Sequence, residues 1–157
     1  MLNKLDWDIE TAKQAKLTGK IPDVVWVIHA RNNHRIGITF DELRAKQGLD
    51  IASELTLRGG KVIRIQGGPG QHPYRAIGKL LFHYETWYQF LCECDGVCVI
   101  SDTKRPCRTC TPQQYIHRYH HLNTEQFNKY LDGYRKRPYI KRTRKPKPIP
   151  KEQAPLP

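Results

Sequence analysis

Residues 54–66 read ELTLRGGKVIRIQ. Two short alternating runs, ELTLR and KVIRIQ, flank the pair Gly59-Gly60. Glycine reaches the positive φ that a tight turn needs, so this stretch predicts a β-hairpin. It makes the chain a sheet-containing protein.

Upstream, residues 39–43 read TFDEL and predict a helix with a capping box, Thr39 as N-cap and Glu42 three residues on, ending near Gly48. Before it, VVWVIHA, residues 24–30, is β-branched and apolar and predicts a buried strand. Residues 2–19 predict a short helix stopped by Gly19. Downstream, GGPGQ lacks the Lys-Ser/Thr of a phosphate-binding loop and reads as a linker. Pro73 then opens one long helix, PYRAIGKLLFHYETWYQFL. Ile77, Leu81, Tyr84, Tyr88 and Leu91 fall at helical spacing and define its apolar face. Core packing is the leading reading of these rings, and base stacking the second. Thr111-Pro112-Gln113-Gln114 starts a helix running to about His121, and Asn123-Thr124 caps a last one.

The chain has 157 residues, 38% apolar and 27% charged, which fits one modest domain plus a tail. The expected fold class is α+β: a small, mostly helical domain at residues 1–133 with a short β-hairpin or small sheet. Net charge is +12. Residues 134–157 hold nine Lys or Arg against one acid, Glu152, so this segment carries +8 and the remainder +4. Prolines alternate with cations there, and such a stretch cannot bury enough apolar surface to order itself. It is expected to be a disordered tail. Its cations Arg135, Lys136, Arg137, Lys141, Arg142, Arg144, Lys145 and Lys147 suit a nuclear signal or a nucleic-acid arm. Tyr134 and Tyr139 would stack on unpaired bases. Its Pro-rich end would also fit a Pro-reading domain. No apolar run approaches the roughly 18 residues of a membrane span, and MLNKLDWDIE has no apolar signal-peptide core. No membrane or small-molecule partner is inferred.

Five cysteines crowd into residues 92–110. In a reducing compartment they read as metal ligands before disulfides. Cys107-x2-Cys110 has knuckle spacing, and His117 and His121 lie one helical turn apart. Cys92, Cys94, Cys98 and His83 are further candidates, so the ligand set stays open within the segment 92–121. A structural Zn²⁺ is the expected cofactor, one that a small core would use for stability. An HNH-like nuclease, with His120-His121 and Asn128 as its histidine and asparagine, is the alternative enzymatic reading. Ser53 and Ser101 lack a nucleophile-elbow context.

The linear order of several landmarks resembles the small nuclear accessory nucleoproteins of bocaparvoviruses and other parvoviruses. The landmarks are the stretch from Trp26 to His29, then Phe40-Asp41-Glu42-Leu43-Arg44, Tyr74-Arg75, Phe82-His83-Tyr84, the Cys107-x2-Cys110 knuckle and the aromatic, basic helix ending His121-Leu122. They cover roughly residues 24–122. The resemblance implies His83, Cys107, Cys110 and His121 as the preferred ligand set. It also implies a viral non-structural protein of the host-cell nucleus, not an enzyme. Such a protein supports viral pre-mRNA processing and genome replication through RNA, single-stranded DNA, or host RNA-processing and nuclear-import proteins. This chain departs from the family in its three extra cysteines and in carrying the basic tract at the C-terminus. An adaptor whose basic tail serves only nuclear import is the non-nucleic-acid alternative.

Overall fold

A computed structural model describes residues 10–17, 21–67 and 72–137. The elements in chain order are α1 (Val24–Asn32), β1 (Gly37–Thr39), α2 (Ala45–Arg58), β2 (Lys61–Ile65), α3 (Pro73–Phe82), α4 (Tyr84–Glu93), β3 (Gly96–Ile100), β4 (Arg108–Cys110), α5 (Pro112–His120) and α6 (Thr124–Arg135). The strands form one sheet in the order β1-β2-β3-β4. The first three run parallel, and β4 is antiparallel to β3.

Strand pleating sorts the core into two layers. Val62, Val97, Val99 and Cys110 face α1, α2, α5 and α6, packed with Val27, Ile51, Leu55, Tyr115, Ile116 and Phe127. Ile63, Ile65, Cys98, Ile100 and Cys107 face α3 and α4, packed with Leu80, Trp87 and Phe90. The expectation of helices with a small sheet holds at that level. The arrangement, however, is a mostly parallel sheet with one antiparallel edge strand, covered on both faces, not a hairpin with helices set to one side. The crossover from β1 to β2 uses α2 on one face, and that from β2 to β3 uses α3 and α4 on the other. Strand order advances in one direction, so the two crossovers have opposite hands, and one is the rare left-handed form.

The pivotal stretch is half helix. Glu54 to Arg58 complete α2, and Gly59 (φ 72°) and Gly60 (φ 121°) turn the chain into β2. The glycines do supply positive φ, but they join a helix to a parallel strand. The antiparallel pair lies instead between β3 and β4. ELTLR stays helical because the helix it belongs to buries Gly48, Ile51, Ala52 and Leu55 along one stripe.

VVWVIHA is likewise helix, not strand. Val24, Val27 and Ile28 sit at i, i+3 and i+4 on the core, so packing overrides β-branched preference. Thr39 ends β1 rather than capping a helix; its Oγ1 accepts from the Asp41 N–H at 3.1 Å. α2 begins at Ala45 and contains Gly48. Of the expected N-terminal helix, the described residues 10–17 form a turn, with Leu17 N–H donating to Ala12 O at 2.8 Å. The remainder of that helix, and most of GGPGQ, lie outside the described residues.

Pro73 stands in the first turn of α3, but the long helix breaks at His83 into α3 and α4. Both C-terminal helices start as expected. Thr111 with Gln114, and Asn123 with Gln126, form complete capping boxes. α6 runs on to Arg135, so the folded unit extends past residue 133. Tyr134 is fully buried and donates to Glu54 Oε2 at 3.0 Å, while Arg137 pairs with Asp50 and lies over the Tyr130 and Tyr134 rings. Among the described residues no helix is long and apolar enough to cross a membrane.

Candidate nucleic-acid interface

The preferred cysteines and histidines do not converge on one point. Cys107 and Cys110 flank a β-strand, where residues three apart point to opposite faces. Cys107 packs with α3 and α4, and Cys110 with the other layer. A knuckle requires a turn that β4 does not make. Cys98 joins Cys107 on its face, and the two share a hydrogen bond. That bond, then Thr86 and the nearby His83, pulls the Cys107 thiol down to about 6. The same bond, and then burial, pushes Cys98 up. Burial raises the Cys110 thiol, with Arg118 opposing.

His83 is buried where α3 meets α4, and its Nε2–H donates to the Asp102 carbonyl at 2.6 Å. His121 is exposed at the left-handed C-cap of α5, and His117 is exposed on that helix. Cys92 and Cys94 are exposed at the end of α4. The preferred set of His83, Cys107, Cys110 and His121 is thus divided between the two faces of the sheet and the surface. It does not fit one tetrahedral ion. Among the described residues no three His, Cys, Asp or Glu side chains are grouped to hold a metal. His120 stands at the end of α5, pressed toward Gly48 of α2, and Asn128 is exposed on α6.

The aromatic segment shows a different surface. Its periodicity was legible, but its phase is shifted by one residue. Ala76, Leu80, His83, Trp87 and Phe90 are buried, and the Trp87 indole donates to Leu80 O at 2.7 Å. The face read as apolar core therefore points outward: Leu81, Tyr84 and Tyr88 are exposed, and Ile77 and Leu91 are half-buried. Tyr74 and Phe82 are exposed too, at 66% and 65%, against 42% for Tyr84 and 52% for Tyr88. Tyr84 and Tyr88 lie nearly parallel, centroids 5.5 Å apart at 20°. Phe82 meets the His83 ring edge-on at 5.0 Å.

Exposed cations occur on α3 and on the loop joined to it through His83. Arg75 is exposed on α3. Lys104 and Arg105 are exposed on the loop whose Asp102 carbonyl binds His83, and their backbone N–H groups both donate to Asp102 Oδ1 at 2.8 Å. These bonds, with burial opposing, hold the Asp102 carboxyl below its ordinary value.

The tail residues divide. Arg135 pairs with Asp132 at 3.3 Å, Lys136 is exposed, and Arg137 is engaged by Asp50. Tyr134, expected to stack on bases, is instead core. Lys141, Arg142, Arg144, Lys145 and Lys147, together with Tyr139, lie outside the described residues. The sequence reading missed Arg64 and Glu54. Glu54 carried a signal: with Asp50 it forms an i, i+4 acidic pair inside an apolar helix face. Arg64 carried none beyond its place in a β-run.

No family model, curated protein or solved structure matches this chain.

Proposed function

We propose that this chain is a non-enzymatic regulatory protein that binds single-stranded nucleic acid, RNA before DNA, through the outer face of α3 and α4 together with its cationic segments. The observation that carries the reading is the exposure of Tyr74, Phe82, Tyr84 and Tyr88 on α3 and α4, with exposed Arg75 on α3 and exposed Lys104 and Arg105 on the loop tied to His83. Exposed rings flanked by cations offer stacking to bases and charge to phosphates, the combination used by sequence-tolerant single-strand binders. A net charge of +12 disfavours a second copy on the same face and favours a polyanion. The resemblance to parvoviral nuclear accessory proteins supports a role in viral pre-mRNA processing and genome replication in the host-cell nucleus. A structural zinc is not carried into this proposal, because its preferred ligands are dispersed.

The test is fluorescence anisotropy of a labelled single-stranded RNA with the full chain and with Tyr84→Ala/Tyr88→Ala. Stacking contributes about 1–3 kcal/mol per base, so the double variant should lose at least about tenfold in affinity. The corresponding Phe variant should retain it. Unchanged affinity in the Ala variant would sink the surface reading and leave the basic tail as the binding element, or the rings as a protein contact.

A further inference from the structure

We infer that the crevice at the carboxyl ends of β1 and β2 is a phosphate-binding site, built from the Arg64 guanidinium, Arg44 and the opening amides of α2. A cavity of about 230 Å³ lies there, lined by Glu42, Leu43, Arg44, Ala45, Arg64, Tyr119 and His120.

Topology explains the opening. β1 and β2 are adjacent and parallel, but the chain leaves β1 toward one face of the sheet and leaves β2 toward the other. The backbone parts at their carboxyl ends, where open α/β sheets take their ligands. α2 starts at this edge. Its N-cap residue Arg44 is extended and its side chain does not cap, so the first N–H groups have no intrahelical acceptor.

Arg64 is the second, independent observation. It is only 6% exposed, yet no carboxylate pairs with it among the described residues. Its Nε–H donates to Asp41 O at 3.2 Å, Nη1 reaches the Tyr115 hydroxyl at 3.4 Å, and the guanidinium lies 5.5 Å from the Tyr119 ring centroid. Nη2 has no partner among the described residues. A buried cation without a counter-ion is expensive, and an anion in the adjoining cavity would offset that cost. His120 lines the same space, and its Nε2 is buried without a hydrogen-bond partner. Burial, then Arg64 and His121, lower its pKa, and an Nε2–H there would donate to a bound anion. Glu42 already pairs with Arg44 at the surface, so Arg44 would bridge it and a bound phosphate, and Arg64 supplies the uncompensated charge. Leu43 and Ala45, both with positive φ (50° and 46°), hold the lining loop in a left-handed backbone that neither side chain prefers.

A phosphate monoester suits the size and donor set, whether it ends a nucleic-acid strand or belongs to a free nucleotide. The inference does not rest on the α3–α4 surface, since a mononucleotide filling the crevice would support it even if no strand binds those rings.

The test is nitrogen-15 NMR of the full chain at physiological salt. The Arg64 Nε–H and the Ala45 and Lys46 amides are followed during titration with inorganic phosphate, AMP, and one short oligonucleotide with and without a 5′-phosphate. Saturable shifts of these signals by any probe are expected. Phosphate or AMP acting alone identifies a free ligand, and preference for the 5′-phosphorylated strand identifies a strand end. Arg44→Glu, at an exposed position, should weaken binding by about tenfold or more while leaving the spectrum folded. Arg64→Met should abolish it; if that variant does not fold, Arg44→Glu decides. Shifts confined to the basic tail, no saturation at Arg64, or unchanged binding in Arg44→Glu would overturn the inference.

Discussion

Glu54 anchors more of this molecule than any other single polar residue described above. Its carboxylate is fully buried and takes Arg31 at 2.5 Å, Arg58 at 2.7 Å and the Tyr134 hydroxyl at 3.0 Å. Removing the charge leaves two arginines facing a neutral group. Glu54→Gln should cost about 3 kcal/mol, the low end for a broken buried pair, because both arginines keep contact with water. Tyr134→Phe removes one hydrogen bond and should cost about 1 kcal/mol. Urea denaturation of the two variants gives the ordering, and a larger loss for Tyr134→Phe would contradict it. Tyr130 titrates abnormally: burial, then its bond to Asp50, pushes the phenol up to about 12. Below the ordinary phenol value both folded and unfolded chains hold that proton. Between pH 10 and 12 the unfolded chain releases it and the folded chain does not. Tyr130 therefore stabilises the fold below pH 10, and that contribution declines across the window. Tyr130→Phe should flatten that part of the stability–pH curve.

At the scale of elements, glycines separate required turns from tolerated ones. Gly96 opens β3 with φ 143°, and a Cβ there would lie 2.2 Å from Cys110 O. Gly78 lies on the outer face of α3 with nothing within 4 Å of an added Cβ. Gly96→Ala should destabilise by about 2–3 kcal/mol, and Gly78→Ala should stabilise by about 0.5–1 kcal/mol. Thermal unfolding distinguishes them by sign. The same scale shows why the sequence misreads α1 and the end of α2. Segments of five to seven residues such as VVWVIHA and ELTLR satisfy both a strand and a helix pattern, and only their neighbours choose between them. In α3 and α4 two phases were open. Ile77, Leu81, Tyr84, Tyr88 and Leu91 make the more apolar set, but the sheet takes Trp87 and Phe90, with His83 tied to the Asp102 carbonyl.

For the whole molecule, the folded unit extends past residue 133 and includes Tyr134 and Arg137. A chain ending at residue 137 should keep its thermal stability, while one ending at 133 loses the Tyr134 ring from the core at a cost of about 3–5 kcal/mol. Equal melting temperatures would place Tyr134 outside the cooperative core. In the proposed binding, the residues beyond 137 would contribute through charge. They contain six Lys or Arg, so deleting residues 138–157 should reduce the salt slope of single-strand binding by up to about 4. Affinity measured across a salt series checks this, and an unchanged slope would assign the phosphate contacts to the domain.

What the sequence determined by itself is local chemistry. The capping boxes at Thr111 and Asn123, the place of Pro73 in the first turn of a helix, and the positive-φ turn at Gly59-Gly60 each depend on a few neighbouring residues. The charge imbalance between domain and tail belongs with them, being a matter of composition. The tertiary structure decided what depends on partners distant in the chain. It set the parallel pairing of β1, β2 and β3, and it sent Cys107 and Cys110 to opposite faces through the pleat of β4. It turned the Tyr84–Tyr88 face outward and enclosed Arg64 beside a cavity, with no carboxylate paired to it among the described residues. Periodicity records that a segment has two faces, but which face is buried is decided by the surface that the rest of the chain presents to it.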